Sequence, residues 1–329
     1  MKSDTKVSIL VLAYNHGEYI SQTLDSILMQ DTDFNYEIII GDDCSTDNTR
    51  QIILDYYGKY PLIIKPIFRK NNLGGPGNFY DILMRCKGDY IAFLEGDDFW
   101  TDKHKLNKQL EFLLNNKEYV ATVHKNIIVD KQGKKVGESD SKIPSNKEVG
   151  KKELLRYSTK LAHPGTLFYK NIFKEKKDDY TIIRDSNKYG IHFTMLSLLI
   201  SKGKIYMMSD YMSAWRCIIS SNAKNYTSMA KKNPLDSIDN QYVMLANLRQ
   251  YFGDYYDYTR IKSKLFANLL LVLLSSPKYP KRESLKKFTG YMSMKEIPYI
   301  PVYFVNLATK VLYYKFKGLF THNLTRRVR

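Results

Sequence analysis

The chain has 329 residues, room for one large domain or two modest ones, and its 43% hydrophobic content excludes a disordered protein. Three scattered cysteines, Cys44, Cys86 and Cys217, exclude a disulfide framework or a zinc site and suit a reducing compartment. The net charge of +17 gathers late, with 15 Lys and Arg against 4 Asp and Glu in residues 251–329, a surface suited to nucleic acid, anionic lipid or phosphorylated small molecules. The N-terminus lacks an apolar leader, and no stretch approaches the roughly 20 apolar residues of a spanning helix, so a cytoplasmic protein is expected.

Residues 7–13 form a continuous apolar run rich in β-branched side chains, the pattern of a strand buried on both faces. Tyr14-Asn15-His16-Gly17 breaks it, and Ile20, Leu24, Ile27 and Leu28 then recur at helical spacing through residue 30. A second buried strand, 36–40, ends at Gly41-Asp42-Asp43, and Ser45 or Thr46 is placed to cap a helix running to Tyr57. A third strand is predicted over 61–68, a glycine-rich loop over 71–77, a helix over 78–86 and a fourth strand over 89–94. A helix over 106–114 and a strand over 119–130 follow. Residues 131–152 are polar and aperiodic, the signature of a long mobile loop. Beyond it a strand over 165–169, a helix over 191–201 and a strand after Gly203 are expected, and from about residue 233 the pattern is helical.

Alternating strands and helices imply an α/β fold with a doubly wound, mostly parallel sheet, which binds ligands at the carboxyl ends of its strands. Polar residues stand at three such ends: Tyr14 and Asn15, Asp42 and Asp43, and Glu95-Gly96-Asp97-Asp98. Carboxylates clustered after a buried strand suit a hard cation, Mg²⁺ or Mn²⁺, shared with substrate phosphates. Such an ion neutralises charge on a departing diphosphate. A polar turn with a helix cap is the competing reading of an isolated Asp-Asp pair. The glycine-rich loop between Asn72 and Asn78 lacks the Gly-Lys-Ser/Thr of a nucleotide-binding P-loop.

Together, residues 7–15, Gly41-Asp42-Asp43-Cys44-Ser45-Thr46-Asp47 and the stretch 88–98 resemble the family 2 glycosyltransferases of GT-A fold. Gly96-Asp97-Asp98-Phe99-Trp100 with Lys105-Leu106 and Gln109 is similar to bacterial members that build capsule, lipopolysaccharide and other surface polysaccharides. The resemblance covers roughly the first 115 residues. It implies a Rossmann-like nucleotide-binding half, a nucleotide-sugar donor, a glycan or lipid-linked acceptor, a divalent cation and inversion at the anomeric carbon. By position it implies that Tyr14 stacks on the donor base and Asp43 hydrogen-bonds it, with Asn15 and Asp42 also on the donor side; Asn72, flanking the glycine-rich loop, is placed to approach donor phosphate. Asp97 would face the ribose or the metal, and Asp98 would be the principal metal ligand. Glu95 stands where many members carry Asp.

The base that takes the acceptor proton is commonly an Asp heading a helix; counting back from Gly203, that slot holds His192, with Asp185 the nearby carboxylate. The resemblance further places Trp100, His163 and Thr166 on the acceptor side and Arg216, after Trp215, near the diphosphate. A catalytic domain over 1–232 is expected, split into a nucleotide-sugar half (1–115) and an acceptor half (116–232), followed by a helical, basic region over 233–329. Aromatics mixed with Lys310, Lys315 and Lys317, and the end Arg326-Arg327-Val328-Arg329, suit an anionic membrane interface; helix packing and homo-oligomerisation are the alternatives. No nucleic-acid motif accompanies the charge, so nucleic acid is not the expected partner. A basic nucleic-acid binder and a GT-A-like scaffold without catalysis are the competing functions.

Overall fold

A computed structural model describes residues 7–139, 143–157, 161–175, 178–217, 233–275, 281–306 and 308–309. Contacts divide the chain into two compact units, Met1–Ser228 and Met229–Arg329.

The first apolar run forms β1 (Val7–Ala13), which lies between β2 (Tyr36–Asp42) and β4 (Tyr90–Glu95) and pairs parallel with both. β3 (Ile64–Phe68) extends the parallel set on the far side of β2. Side chains alternate between two buried faces, which is why these strands carry no polar period. On one face Val7, Ile9, Val11, Ile38, Ile40, Ala92 and Leu94 share a core with α1 (Ile20–Leu28), α2 (Thr49–Lys59) and α4 (Lys105–Asn115). The other face meets α3 (Gly74–Leu83), with Phe79 edge-on to Phe93 at 5.2 Å.

Past β4 the sheet changes character. β9 (Phe168–Lys170) runs antiparallel between β4 and β6 (Tyr119–Val129), and β6 pairs parallel with β10 (Lys204–Arg216). The two-residue β5 (Phe99–Trp100) closes the order β3-β2-β1-β4-β9-β6-β10-β5. The long ladders are parallel and the short ones antiparallel, the mixed α/β sheet that the alternation predicts.

Several local expectations are corrected. Residues 131–152 are not one loop: β7 (Lys135–Glu138) folds back on β6, and β8 (Lys147–Val149) pairs with β10. Asp130 Oδ1 accepts the amides of Gln132 and Lys134, a tight turn that makes the first of these hairpins. Neither Ser45 nor Thr46 caps α2; Asp47 Oδ1 accepts the Thr49 amide at 3.0 Å instead. The glycine loop is shorter than predicted because α3 begins at Gly74, whose φ of 75° lies in the left-handed region that favours glycine. Residues Pro164–Thr166 form a 3₁₀ turn capped by His163, so the strand predicted from residue 165 starts at Phe168.

The second unit is helical over Pro234–Phe252, Thr259–Ser275 and Lys281–Thr289. Tyr242 stacks on Tyr291 at 5.1 Å, and its hydroxyl donates to the Lys262 carbonyl. No helix among the described residues is long and apolar enough to cross a membrane. Lys310, Lys315, Lys317 and residues 326–329 lie outside the described residues.

Candidate functional site

The ends of β1, β2 and β4 stand side by side, so their polar residues meet at one edge. Tyr14 leaves β1 40% exposed, its ring open to a ligand. Asn15 adopts φ 55°, a left-handed conformation that asparagine tolerates. Its Oδ1 accepts the Thr46 amide at 2.8 Å and its own amide donates to Ser45 Oγ at 3.0 Å. Asn15 therefore ties two strand ends together. Asp42 is corrected as a donor contact: it is fully buried, Oδ2 takes both Nε and Nη2 of Arg50 at 3.1 and 3.0 Å, and Oδ1 is enclosed without a partner. Asp43, buried beside it, accepts the Leu73 amide at 2.7 Å through Oδ1, while Asn72 Nδ2 donates to the Asp43 carbonyl. These two residues join the end of β2 to the start of α3, and burial pushes the Asp43 carboxyl up.

The acidic turn is held from below. The Gly96 amide donates to the Leu12 carbonyl at 2.8 Å, and a Cβ at Gly96 would stand 2.7 Å from His16 Nδ1, so only glycine fits this approach. Thr23 Oγ1 donates to the Asp98 carbonyl at 2.7 Å. Asp98 points inward at 2% exposure; its Oδ1 accepts the Arg216 amide at 2.8 Å, and its Oδ2 has no hydrogen-bond partner. Burial first, then the Asp97 and Glu95 charges, push the Asp98 carboxyl well above the carboxylate range. Burial and Asp97 push Glu95 up to about 8. Asp97 is half-buried, and its carbonyl accepts Arg216 Nε at 2.9 Å.

Arg216 is corrected from phosphate contact to internal strut. Besides Asp97, its guanidinium donates to the carbonyls of Asp130 and Lys131 and to Gln22 Oε1, lies 4.6 Å over the Tyr19 ring, and is 4% exposed. A guanidinium has five N–H donors, so little remains for a ligand.

The predicted acceptor side divides. Trp100 is buried in the core, with Lys105 Nζ 4.2 Å over its ring. Thr166 is fully buried, its hydroxyl donating to the His163 carbonyl at 2.7 Å. Both are corrections, because neither side chain reaches the surface. His163 instead turns to the acidic cluster. Its Nδ1 lies 3.7 Å from Asp98 Oδ2 and accepts the Gly165 amide at 3.3 Å, and Trp215 stacks on the ring at 5.2 Å. Burial, helped by His192, lowers its pKa to about 3.

His192 opens α7 (His192–Lys202), and burial lowers it to about 4. The Ala162 carbonyl holds one ring nitrogen, and Nε2 is left buried without a partner. Asp185 ends the short helix α6 (Ile182–Asp185) with both oxygens on Arg184, at 2.7 and 2.9 Å, and this pairing lowers its pKa. Among the described residues, the ligand-capable atoms that converge within 4.8 Å belong to Glu95, Asp98 and His163.

Lys105 and Gln109 brace this arrangement. Lys105 Nζ donates to Gln109 Oε1 at 2.7 Å, and Gln109 Nε2 donates to Thr122 Oγ1 and the Thr166 carbonyl. The pair thus carries the turn holding His163, a role their spacing on α4 does not disclose. Burial lowers Lys105 to about 7.

Residues 8–180 match the family described as glycosyl transferase family 2. An uncharacterized protein of Mycobacterium tuberculosis is 41% identical over 138 residues, 42% of this chain and 39% of the relative. The putative teichuronic acid biosynthesis glycosyltransferase TuaG of Bacillus subtilis is 43% identical over 108 residues, 33% of this chain and 42% of the relative. The chain thus spans about two fifths of the length of these relatives. The crystal structure of S. aureus TarS 1-349 in complex with UDP-GlcNAc superposes with a TM-score of 0.61 at 18% identity, covering 95% of this chain and 92% of that one, a likeness of fold. With more than half of its length matched to one family, and that family's acidic strand end in place, the chain belongs to glycosyl transferase family 2.

Proposed function

We propose that the protein transfers a sugar from a nucleotide-diphosphate donor to a glycan or lipid-linked acceptor in bacterial surface polysaccharide synthesis. The observation that carries this reading is the cation-seeking end of β4, where Asp98 Oδ2 is buried without a partner beside Glu95. The adjacent strand end offers Tyr14 for a nucleobase. Glu95, Asp97 and Asp98 would hold a divalent ion, Mn²⁺ or Mg²⁺. Such an ion neutralises the diphosphate as it leaves. His192 fits the base role better than Asp185: it is neutral with an unpartnered Nε2, whereas Arg184 holds the Asp185 carboxylate. In this scheme an acceptor must uncover Nε2, which is buried here; its hydroxyl then gives its proton to Nε2 while its oxygen attacks the anomeric carbon. The bonding pair then leaves with the diphosphate.

Thermal-shift titration with nucleotide sugars, with and without Mn²⁺, tests the donor reading. Selective, ion-dependent stabilisation by one donor is expected; no stabilisation by any donor defeats it. The depressed basicity of buried His192 favours a second reading, a donor-binding scaffold without transfer. Ion-dependent donor hydrolysis by the wild type, lost in His192→Ala, excludes the scaffold.

The second unit supports peripheral binding to an anionic membrane, since Leu274, Met294, Val302 and Val305 are exposed and residues 251–329 are strongly basic. The full chain is expected to co-sediment with anionic but not zwitterionic vesicles, and Val302→Ser with Val305→Ser to weaken it. Equal partitioning to both vesicle types defeats this reading.

A further inference from the structure

The acidic cluster of this chain does not face only carboxylates. One ligand-capable atom each from Glu95, Asp98 and His163 lies within 4.8 Å of the other two. Asp98 Oδ2 and His163 Nδ1 are 3.7 Å apart, too far for a hydrogen bond and the distance of two donors sharing one ion. Donors bound about 2.1 Å from a cation stand roughly 3–4 Å from one another. Asp98 Oδ2 is buried and takes no hydrogen bond, so this oxygen is unanswered from within the protein. The lone pair at His163 Nδ1 is engaged only by the Gly165 amide at 3.3 Å, a long contact that costs little to give up.

The surroundings keep the gap open and the ring aimed at it. A Cβ at Gly165 would stand 3.5 Å from His163 Nδ1 and 3.8 Å from Asp98 Oδ2, so a larger side chain there would crowd the space between them. Trp215 stacks on the imidazole, and the Thr166 hydroxyl pins the His163 carbonyl. Gln109 in turn holds the Thr166 carbonyl, so the ring sits on a braced turn.

We propose that His163 is a nitrogen ligand of the divalent ion held by Glu95 and Asp98, and that it biases the site toward a transition-metal ion such as Mn²⁺ over Mg²⁺. Imidazole binds first-row transition ions in preference to Mg²⁺, which favours oxygen. The inference rests on the metal-dependent reading above and adds to it a nitrogen ligand and the choice of ion.

The test uses tag-free full chain in a buffer without imidazole. Mn²⁺ binding is followed by electron paramagnetic resonance, with and without UDP, and coupling to ¹⁴N is read by electron spin echo envelope modulation. Wild type is expected to show a directly bound ¹⁴N that His163→Ala loses and His192→Ala keeps. His163→Ala is expected to weaken Mn²⁺ binding at least about tenfold and to change Mg²⁺ binding, read by competition, far less. Circular dichroism melts show whether the variant folds, and His163→Asn supplies a smaller change of shape. Mn²⁺ binding without ¹⁴N coupling in the wild type, or equal weakening of both ions, overturns the inference and leaves the metal-dependent reading standing. No Mn²⁺ binding at all, even with UDP, overturns both.

Discussion

The two walls of the site are built differently. The donor-side wall comes from consecutive strand ends, and most of its polar groups brace one another: Asn15 on Thr46, Asp42 on Arg50, Asp43 on Leu73. The opposite wall comes from the turn before β9, the end of β10 and the start of α7, and it brings His163, Trp215, Arg216 and His192 from distant parts of the chain. Arg216, the buried one of the four, fixes the acidic turn from behind. A cluster of carboxylates at a strand end is therefore a mixture of struts and reactive groups. What separates them is whether a charged partner already holds the carboxylate, as Arg50 holds Asp42 through Oδ2 although Oδ1 takes no bond.

The largest expected effect breaks this comparison directly. Asp97 is half-buried, and its carboxylate takes no hydrogen bond from the described residues. Asp97→Asn should cut turnover, measured as nucleotide release, by about 100-fold or more while leaving Tm unchanged. Asp42→Asn should do the reverse, lowering Tm by removing the buried charge that the half-exposed Arg50 pairs with, with little effect on turnover. If both lose turnover alike, the division between struts and reactive groups is wrong.

Arg216 sharpens the same contrast. Its truncation to Ala leaves the carbonyls of Asp97, Asp130 and Lys131 without their donor. Urea melts should show a loss of about 3 kcal/mol. Donor affinity in the folded fraction should hold; a large affinity loss at unchanged stability would return Arg216 to the diphosphate.

A smaller effect comes from Lys105, which braces the far wall. Its folded pKa is about 7 against an ordinary value of 10.5. Between those values the unfolded chain binds the extra proton, so this group makes stability rise with pH across that window and costs most below pH 7. The slope reaches at most about 1.4 kcal/mol per pH unit. Lys105→Met should flatten the rise in urea melts between pH 7 and 9.5, and an unchanged slope would mean the ammonium is solvated.

The sheet was largely legible because burial on both faces leaves uninterrupted apolar runs, and β1, β2 and β4 each end where a run meets polar residues. The short strands β7 and β8 were not, since each is polar and exists by pairing with the edge of a longer strand. Arg216 and Asp98 lie 118 positions apart, and no local pattern announces the bond between them. Trp100 and Thr166 illustrate the other limit: residue type suits both to a ligand, and only packing reveals that each is buried.

The amino-acid sequence by itself determined the parallel strands, the placing of polar residues at their ends, and the acidic turn after β4, because these follow from periodicity and chain continuity. Tertiary structure alone decided which of those polar groups remain available. It turned Asn15, Asp42 and Arg216 into braces and brought His163 against Asp98, because a hydrogen-bond partner or a buried neighbour comes from whatever distant segment packs there.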